Sequence, residues 1–216
     1  MTLSDDARRL WDAARRMNAL AREAGDVSAR GLPPLLVFTD PVRTPRPWEI
    51  AERLPPGAGL VFRHFGDPEA EMMARRLRDI TRSRHVTLLI GLDADLADRV
   101  GADGVHLPER AVSAAYALSG RRPDWLLTGA VHDPARLDAG CDLHALVLSP
   151  IFTTSGPSAD RPALGVEALT AFANAQPKPV YALGGIDEAN VVGLAGSGAC
   201  GVAGVGALAR AFGIRT

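Results

Sequence analysis

Cysteine is scarce in this chain. Only Cys141 and Cys200 occur, with no secretory signal and no metal-ligand spacing, so neither a disulfide framework nor a thiolate metal cage is expected. No apolar run reaches the ~18 residues that a membrane helix needs, and the opening MTLSDDARRL lacks a signal-peptide core. Charge of one sign is missing too: 24 basic and 25 acidic residues leave a formal net charge of −1, no footprint for nucleic acid. A cytoplasmic protein that engages neither nucleic acid nor membrane is the expectation. No Ser-His-Asp order, no His-x-x-x-His spacing and no Gly-x-Gly-x-x-Gly after the first strand is present, which removes the commonest hydrolase, zinc and dinucleotide signatures.

What is there is a βα alternation. At 216 residues and 47% hydrophobic, the chain has material for one domain with a sizeable core. Residues 3–24 place Leu3, Ala7, Leu10, Trp11, Ala14, Met17 and Leu20 near helical spacing, which predicts a capping helix over residues 1–30, ahead of a domain over 31–216. From Pro34 onward, short apolar runs recur about every 20 to 30 residues. The strand candidates are Leu35–Thr39, Gly59–Arg63, Val86–Ile90, Gly104–Leu107, Leu126–Ala130, Ala145–Ser149, Val180–Leu183 and Gly201–Val205. Helical stretches separate them: Trp48–Leu54, Pro68–Ser83, Ala94–Gly101, Ala111–Leu118, Pro134–Ala139, Val166–Ala173, Glu188–Ala195 and Leu208–Phe212. Eight such units without a hairpin signal predict a single (β/α)₈ barrel, with an open doubly wound sheet as the alternative.

The end of the chain carries the strongest functional signal. Gly184 and Gly185 follow the seventh strand, and Gly206 and Ala207 open the last helix. Two successive βα turns of this kind form the usual phosphate cup of a barrel, where backbone N–H groups approach an anion closely. The alternative is that these glycines serve only tight strand-to-helix packing. Arg63 ends the second strand, where its donors suit a phosphate or carboxylate, against a plain ion pair at the rim. His64 and Phe65 follow it, and one of them is expected at the pocket mouth. His132 follows the fifth strand and titrates near neutral pH, which fits proton transfer as well as it fits ordering of its own loop. His106 reads as a buried structural histidine, and His85 and His144 start strands and receive no role. Phe152–Leu164 is a long Ser/Gly/Pro loop placed as a substrate-covering lid; its Thr154 and Ser155 either bind ligand or serve the turn.

Five stretches in order, GADGVHLPE, TGAVHDPARL, SPIFTTSGPSADRPALG, YALGGID and GVAGVGAL, resemble the thiamine phosphate synthase family, including its thiazole tautomerase relatives. The resemblance covers about residues 34–210. It implies a (β/α)₈ barrel that binds a thiazole phosphate at the last two βα turns, with a pyrimidine diphosphate and magnesium across the mouth in the synthase. In the tautomerase branch it implies a histidine at the position of His132 as the acid/base on the thiazole ring. Several synthase positions depart. The family's Gln-x-Arg-x-Lys becomes Val61, Arg63 and Phe65; its Asn-Asp pair becomes Gly91 and Leu92; its second aspartate becomes Ala111. Pro157 stands where the loop lysine belongs and Gly206 replaces a serine. A magnesium ion at a diphosphate needs one or two carboxylates, so magnesium is expected only if coupling is retained, and Asp93 and Glu109 are the nearest substitutes. Three functions stay open: proton transfer on a phosphorylated thiazole, divergent coupling of pyrimidine diphosphate to thiazole phosphate, and phosphate-ligand binding without turnover. A phosphorylated small molecule is the expected partner, and a homodimer is left open.

Overall fold

In the computed structural model, which describes residues 3–24, 31–136, 141–154 and 160–213, eight parallel strands close into a barrel. The strands are β1 (Leu35–Phe38), β2 (Gly59–Phe62), β3 (Thr87–Gly91), β4 (Gly104–Leu107), β5 (Leu126–Val131), β6 (Ala145–Leu148), β7 (Val180–Leu183) and β8 (Gly201–Gly204). Each pairs with its sequence neighbour, and closure comes from β1 against β8, with Leu36 opposite Ala203. The open doubly wound sheet is thereby excluded. Around the barrel lie α2 (Pro47–Ala51), α3 (Ala70–Arg84), α4 (Ala94–Val100), α5 (Ala115–Arg121), α6 (Gly165–Ala175) and α7 (Gly206–Phe212).

The strands are short and apolar because both of their faces are buried. Leu36, Phe38, Val61, Leu89, Val147, Tyr181 and Ala203 share an inner cluster, while Leu35, Val37, Leu60, Leu88 and Ile90 pack outward under the helices. Alternation along each strand produces this division. Tyr181 closes the N-terminal end of the barrel by donating its buried hydroxyl to the carbonyl of Pro33 at 2.6 Å. The same end is tied by Asp103, whose Oδ2 accepts from the Leu88 amide and from Arg78, both at 2.8 Å.

The N-terminal amphipathic pattern is α1 (Asp5–Glu23), capped by Ser4, whose side chain accepts from the Ala7 amide. Its buried Ala7, Leu10, Ala14 and Met17 face α7, β8 and a 3₁₀ turn at Val191–Leu194. Asn18 donates to the Cys200 carbonyl at 3.0 Å, which satisfies a buried amide and stitches α1 to the start of β8. Among the described residues no helix is long and apolar enough to cross a membrane.

The expected helix Trp48–Leu54 stops early, α2 ending at Ala51, and three other expected helices are wholly or partly 3₁₀. Glu188–Ala195 yields only the 3₁₀ turn Val191–Leu194, because Asp187 Oδ1 accepts from the amides of Ala189 and Asn190 and holds a loop there. Pro134–Ala139 yields a 3₁₀ turn over Pro134–Arg136, and its remainder lies outside the described residues. Ala111–Leu118 is divided between a 3₁₀ segment, Glu109–Ala114, and α5.

Candidate functional site

A cavity of about 560 Å³ opens at the C-terminal ends of the strands. His132, Arg63, Thr154, Gly184, Gly185, Gly206 and Ala207, all singled out from the sequence, line it together. Ser155 lies outside the described residues, as does the middle of the expected lid. Both ends of that lid are pinned to one spot: Phe152 N–H donates to Gly184 O, and Gly165 N–H donates to Ile151 O, each at 2.9 Å.

The two glycine turns are built differently. Gly184 and Gly185 have φ of 104° and 67°, a region that only glycine enters freely. A Cβ on Gly185 would sit 2.4 Å from the Thr153 carbonyl oxygen and 2.7 Å from the Phe152 Cβ. The Gly185 amide donates to no protein acceptor among the described residues, while its carbonyl accepts from Asn190 Nδ2 at 2.8 Å. Gly206, in contrast, has room: the nearest atom to an added Cβ is Arg210 Nη1 at 3.5 Å. Gly206 and Ala207 begin α7, so their amides have no intrahelical partner. The turns after β7 and β8 thus present main-chain donors to one cavity.

Arg63 is largely buried. It stacks over Phe38, its guanidinium 5.0 Å from the ring centroid, and donates from Nε to the Thr39 carbonyl at 3.0 Å. Burial lowers its pKa, Asp40 opposes that change, and Arg43 reinforces it. The rim ion-pair alternative finds no direct Arg63–carboxylate bond among the described residues. Of the two residues after Arg63, Phe65 reaches the cavity and is 58% exposed, whereas His64 turns under and stacks on Phe62 at 4.7 Å.

His106 is buried in the barrel interior. Its Nδ1 lies 2.9 Å from the Thr128 hydroxyl, and its ring meets Phe38 edge-on at 4.8 Å. Burial, then Arg63 and His132, push its pKa down to about 3, so it stays neutral. The burial and the hydrogen bond expected from the sequence are both present, and the ring also lines the cavity.

His132 is half-buried at the exit of β5. Its backbone N–H donates to Glu109 Oε1 at 2.7 Å, the Asp133 N–H donates to the same oxygen at 2.9 Å, and Nδ1 lies 3.3 Å from Glu109 Oε2. Burial and then Arg161 lower the His132 pKa, opposed by Glu109. For Glu109, burial pulls upward, but the Asp133 and His132 donors outweigh it and its pKa is lowered.

Sequence reasoning missed Glu109 in this role, along with the cavity-lining Arg43, Asp187 and Arg210. Arg210 had a legible signal, since it lies one helical turn after Gly206 and helix side chains lean toward the N-terminus. Glu109 had none, because its role comes from the β4–β5 pairing that sets Leu107 opposite Gly129.

At the strand exits where the family places its magnesium carboxylates, the residues are uncharged or the carboxylates are engaged by backbone amides. The β3 exit offers Gly91 and Leu92, and Asp93 caps α4 by accepting from the Leu96 amide at 2.8 Å. Glu109 is engaged by the β5 loop. Asp40 and Asp187 line the cavity, but each holds two backbone amides of its own turn through Oδ1. Among the described residues no three His, Cys, Asp or Glu side chains converge to hold a metal.

The sequence profile of the thiamine monophosphate synthase family matches residues 50–208, from α2 into α7. The chain belongs to that family. It is 34% identical over 141 residues to the thiamine-phosphate synthase of Lysinibacillus sphaericus, across 64% of this chain and 66% of that one. Against the thiamine-phosphate synthase of Chloroflexus aurantiacus it is 37% identical over 145 residues, covering 64% of each. The matched segment therefore spans just under two thirds of either relative. Among solved structures, thiamine phosphate pyrophosphorylase from Pyrococcus furiosus superposes with a TM-score of 0.69 at 25% identity, over 84% of this chain and 92% of that one. The protein is a thiamine phosphate synthase-like (β/α)₈ barrel.

Proposed function

We propose that this barrel is an enzyme of thiamine metabolism that binds a phosphorylated thiazole and moves a proton on its ring, with His132 as the acid/base. One observation carries this reading. At the β3 to β5 exits the carboxylates are committed to a helix cap and a loop clamp, while an imidazole held below its usual pKa lines the cavity. A phosphate monoester needs only the amides of Gly184, Gly185, Gly206 and Ala207, with Arg210 close by. Arg63 and Thr154 bind the substrate between that cup and His132. His132 enters the reaction neutral, takes a proton from one ring position and returns it to another, so the ligand is isomerised with no net change of atoms. A positioned base of this kind contributes about 10²–10⁴-fold.

The relatives' names favour a second reading, coupling of a pyrimidine diphosphate to thiazole phosphate. Phe65, Leu92 and Ala111 stand where that reaction would want charge, which argues against it. One experiment separates the two. The protein is incubated in D₂O with a phosphorylated thiazole tautomer and followed by NMR, and in parallel with pyrimidine diphosphate, thiazole phosphate and magnesium for pyrophosphate release. Tautomer conversion that His132→Gln abolishes is the expected result. Pyrophosphate release without tautomer conversion would overturn the proposal.

A further inference from the structure

Glu109 makes more contacts to the candidate acid/base than any simple capping role requires. It belongs to a different βα unit from His132 and approaches it across the β4–β5 pairing. One carboxylate oxygen holds two successive amides, those of His132 and Asp133, while the other faces the ring at Nδ1. The first pair of bonds fixes the backbone, so the ring rotates only about its own side-chain torsions. The third contact then chooses the proton position.

We infer that Glu109 is a positioning residue that sets the rotation and tautomer of His132, so that Nδ1 carries the proton and Nε2 meets the ligand. The inference rests on the proton-transfer reading given above. An ionised carboxylate has no proton to offer, so the ring nitrogen facing it must be the donor. Nε2 is then the nitrogen with a lone pair, as a base requires. Among the described residues, the charged and titratable groups acting on this imidazole are Glu109 from the β4 exit, His106 from β4 and Arg161 from the loop before α6, with Asp133 adjacent in the chain. Glu109 is the one that both touches the ring and favours its protonated form, so it also stabilises the imidazolium that exists between the two proton transfers.

Glu109→Gln isolates this role from loop architecture. The glutamine carbonyl oxygen still accepts the His132 and Asp133 amides, so the clamp survives. Its NH₂ group, however, now faces Nδ1 and donates, which forces Nδ1 to accept and moves the proton to Nε2. The measurement is ¹⁵N NMR of the imidazole together with its pH titration, in the full-length protein with and without inorganic phosphate. In the wild type the Nδ1–H tautomer is expected to dominate. In Glu109→Gln the Nε2–H form should take over, the His132 pKa should fall further, and conversion should drop about 10–100-fold, by analogy with loss of the orienting partner of a metal-bound histidine. Glu109→Asp keeps the charge and should restore part of the Nδ1–H population. An unchanged tautomer and titration in Glu109→Gln would overturn the inference even if activity fell, because a structural role alone predicts that result. Absence of tautomer conversion in the wild type would instead sink the proton-transfer reading and leave the NMR comparison valid.

Discussion

Gly185→Ala tests the floor of the proposed phosphate cup. The residue has φ of 67°, and an alanine held there loses roughly 1–2 kcal/mol to left-handed strain. The new Cβ would also lie 2.4 Å from the Thr153 carbonyl oxygen, a backbone atom that cannot swing aside as a flexible side chain would. Forced overpacking of that kind costs about 1–3 kcal/mol more. The sum is about 2–5 kcal/mol, which for a chain of this size corresponds to a fall in Tm of roughly 2–4 °C per kcal/mol. Gly206→Ala is the matched control. Its Cβ would meet nothing closer than Arg210 Nη1 at 3.5 Å, and it opens α7, so a gain of ~0.4–1 kcal/mol is expected from a stiffer unfolded chain. Urea denaturation of both variants gives the stabilities, and a thermal shift with millimolar phosphate reads the cup. The reasoning fails if Gly185→Ala lies within about 0.5 kcal/mol of wild type, or if Gly206→Ala loses as much as Gly185→Ala.

Acid should destabilise the protein through His106. Its pKa is about 3 in the fold against an ordinary 6.5, so the unfolded chain takes up the proton first and stability falls as pH drops from 6.5 toward 3. At pH ~4.5 this amounts to about 2–3 kcal/mol, and His106→Gln should flatten part of the pH dependence while His64 and His132, both shifted downward chiefly by burial, retain a further part. His132→Gln should leave the denaturation midpoint nearly unchanged while conversion falls about 10²–10⁴-fold; an equal loss of both would make His132 structural. With the His132 pKa lowered by burial and Arg161, the acid limb of the wild-type rate profile should lie below the usual histidine range, and a limb above it would contradict a base that starts neutral. Leu92 has φ of 65°, so Leu92→Asn should stabilise by ~0.5–1 kcal/mol in the same urea assay, because a short polar side chain tolerates that backbone better.

The barrel was readable from local pattern. Short strands with both faces buried must be apolar, and eight such runs spaced by helices leave few parallel arrangements. β4 and β7 carry the boundaries expected of them, and the other six differ by a residue or two at their ends. Where the pattern misled, a polar side chain intervened: Asp187 and Asn190 bond to nearby backbone and hold a turn over residues 188–190, the start of the stretch where a helix was expected. Much of the site was readable for the same reason, since a strand's end and the glycines after it are local features. Arg63, His132 and Gly184 to Gly185 each follow a strand, and a barrel brings all strand ends to one rim.

The sequence alone thus determined the fold, the end of the barrel that holds the cavity, and the residue types at its mouth. Tertiary structure decided which of those groups are committed and which are available. Asp93 becomes a helix cap, His64 turns inward while Phe65 faces the cavity, and Glu109 crosses from the β4 exit to hold His132. The physical reason is that hydrophobic periodicity is a property of neighbours along the chain, whereas a hydrogen bond between two βα loops depends on barrel closure and register, which bring together residues that no sequence spacing marks as partners.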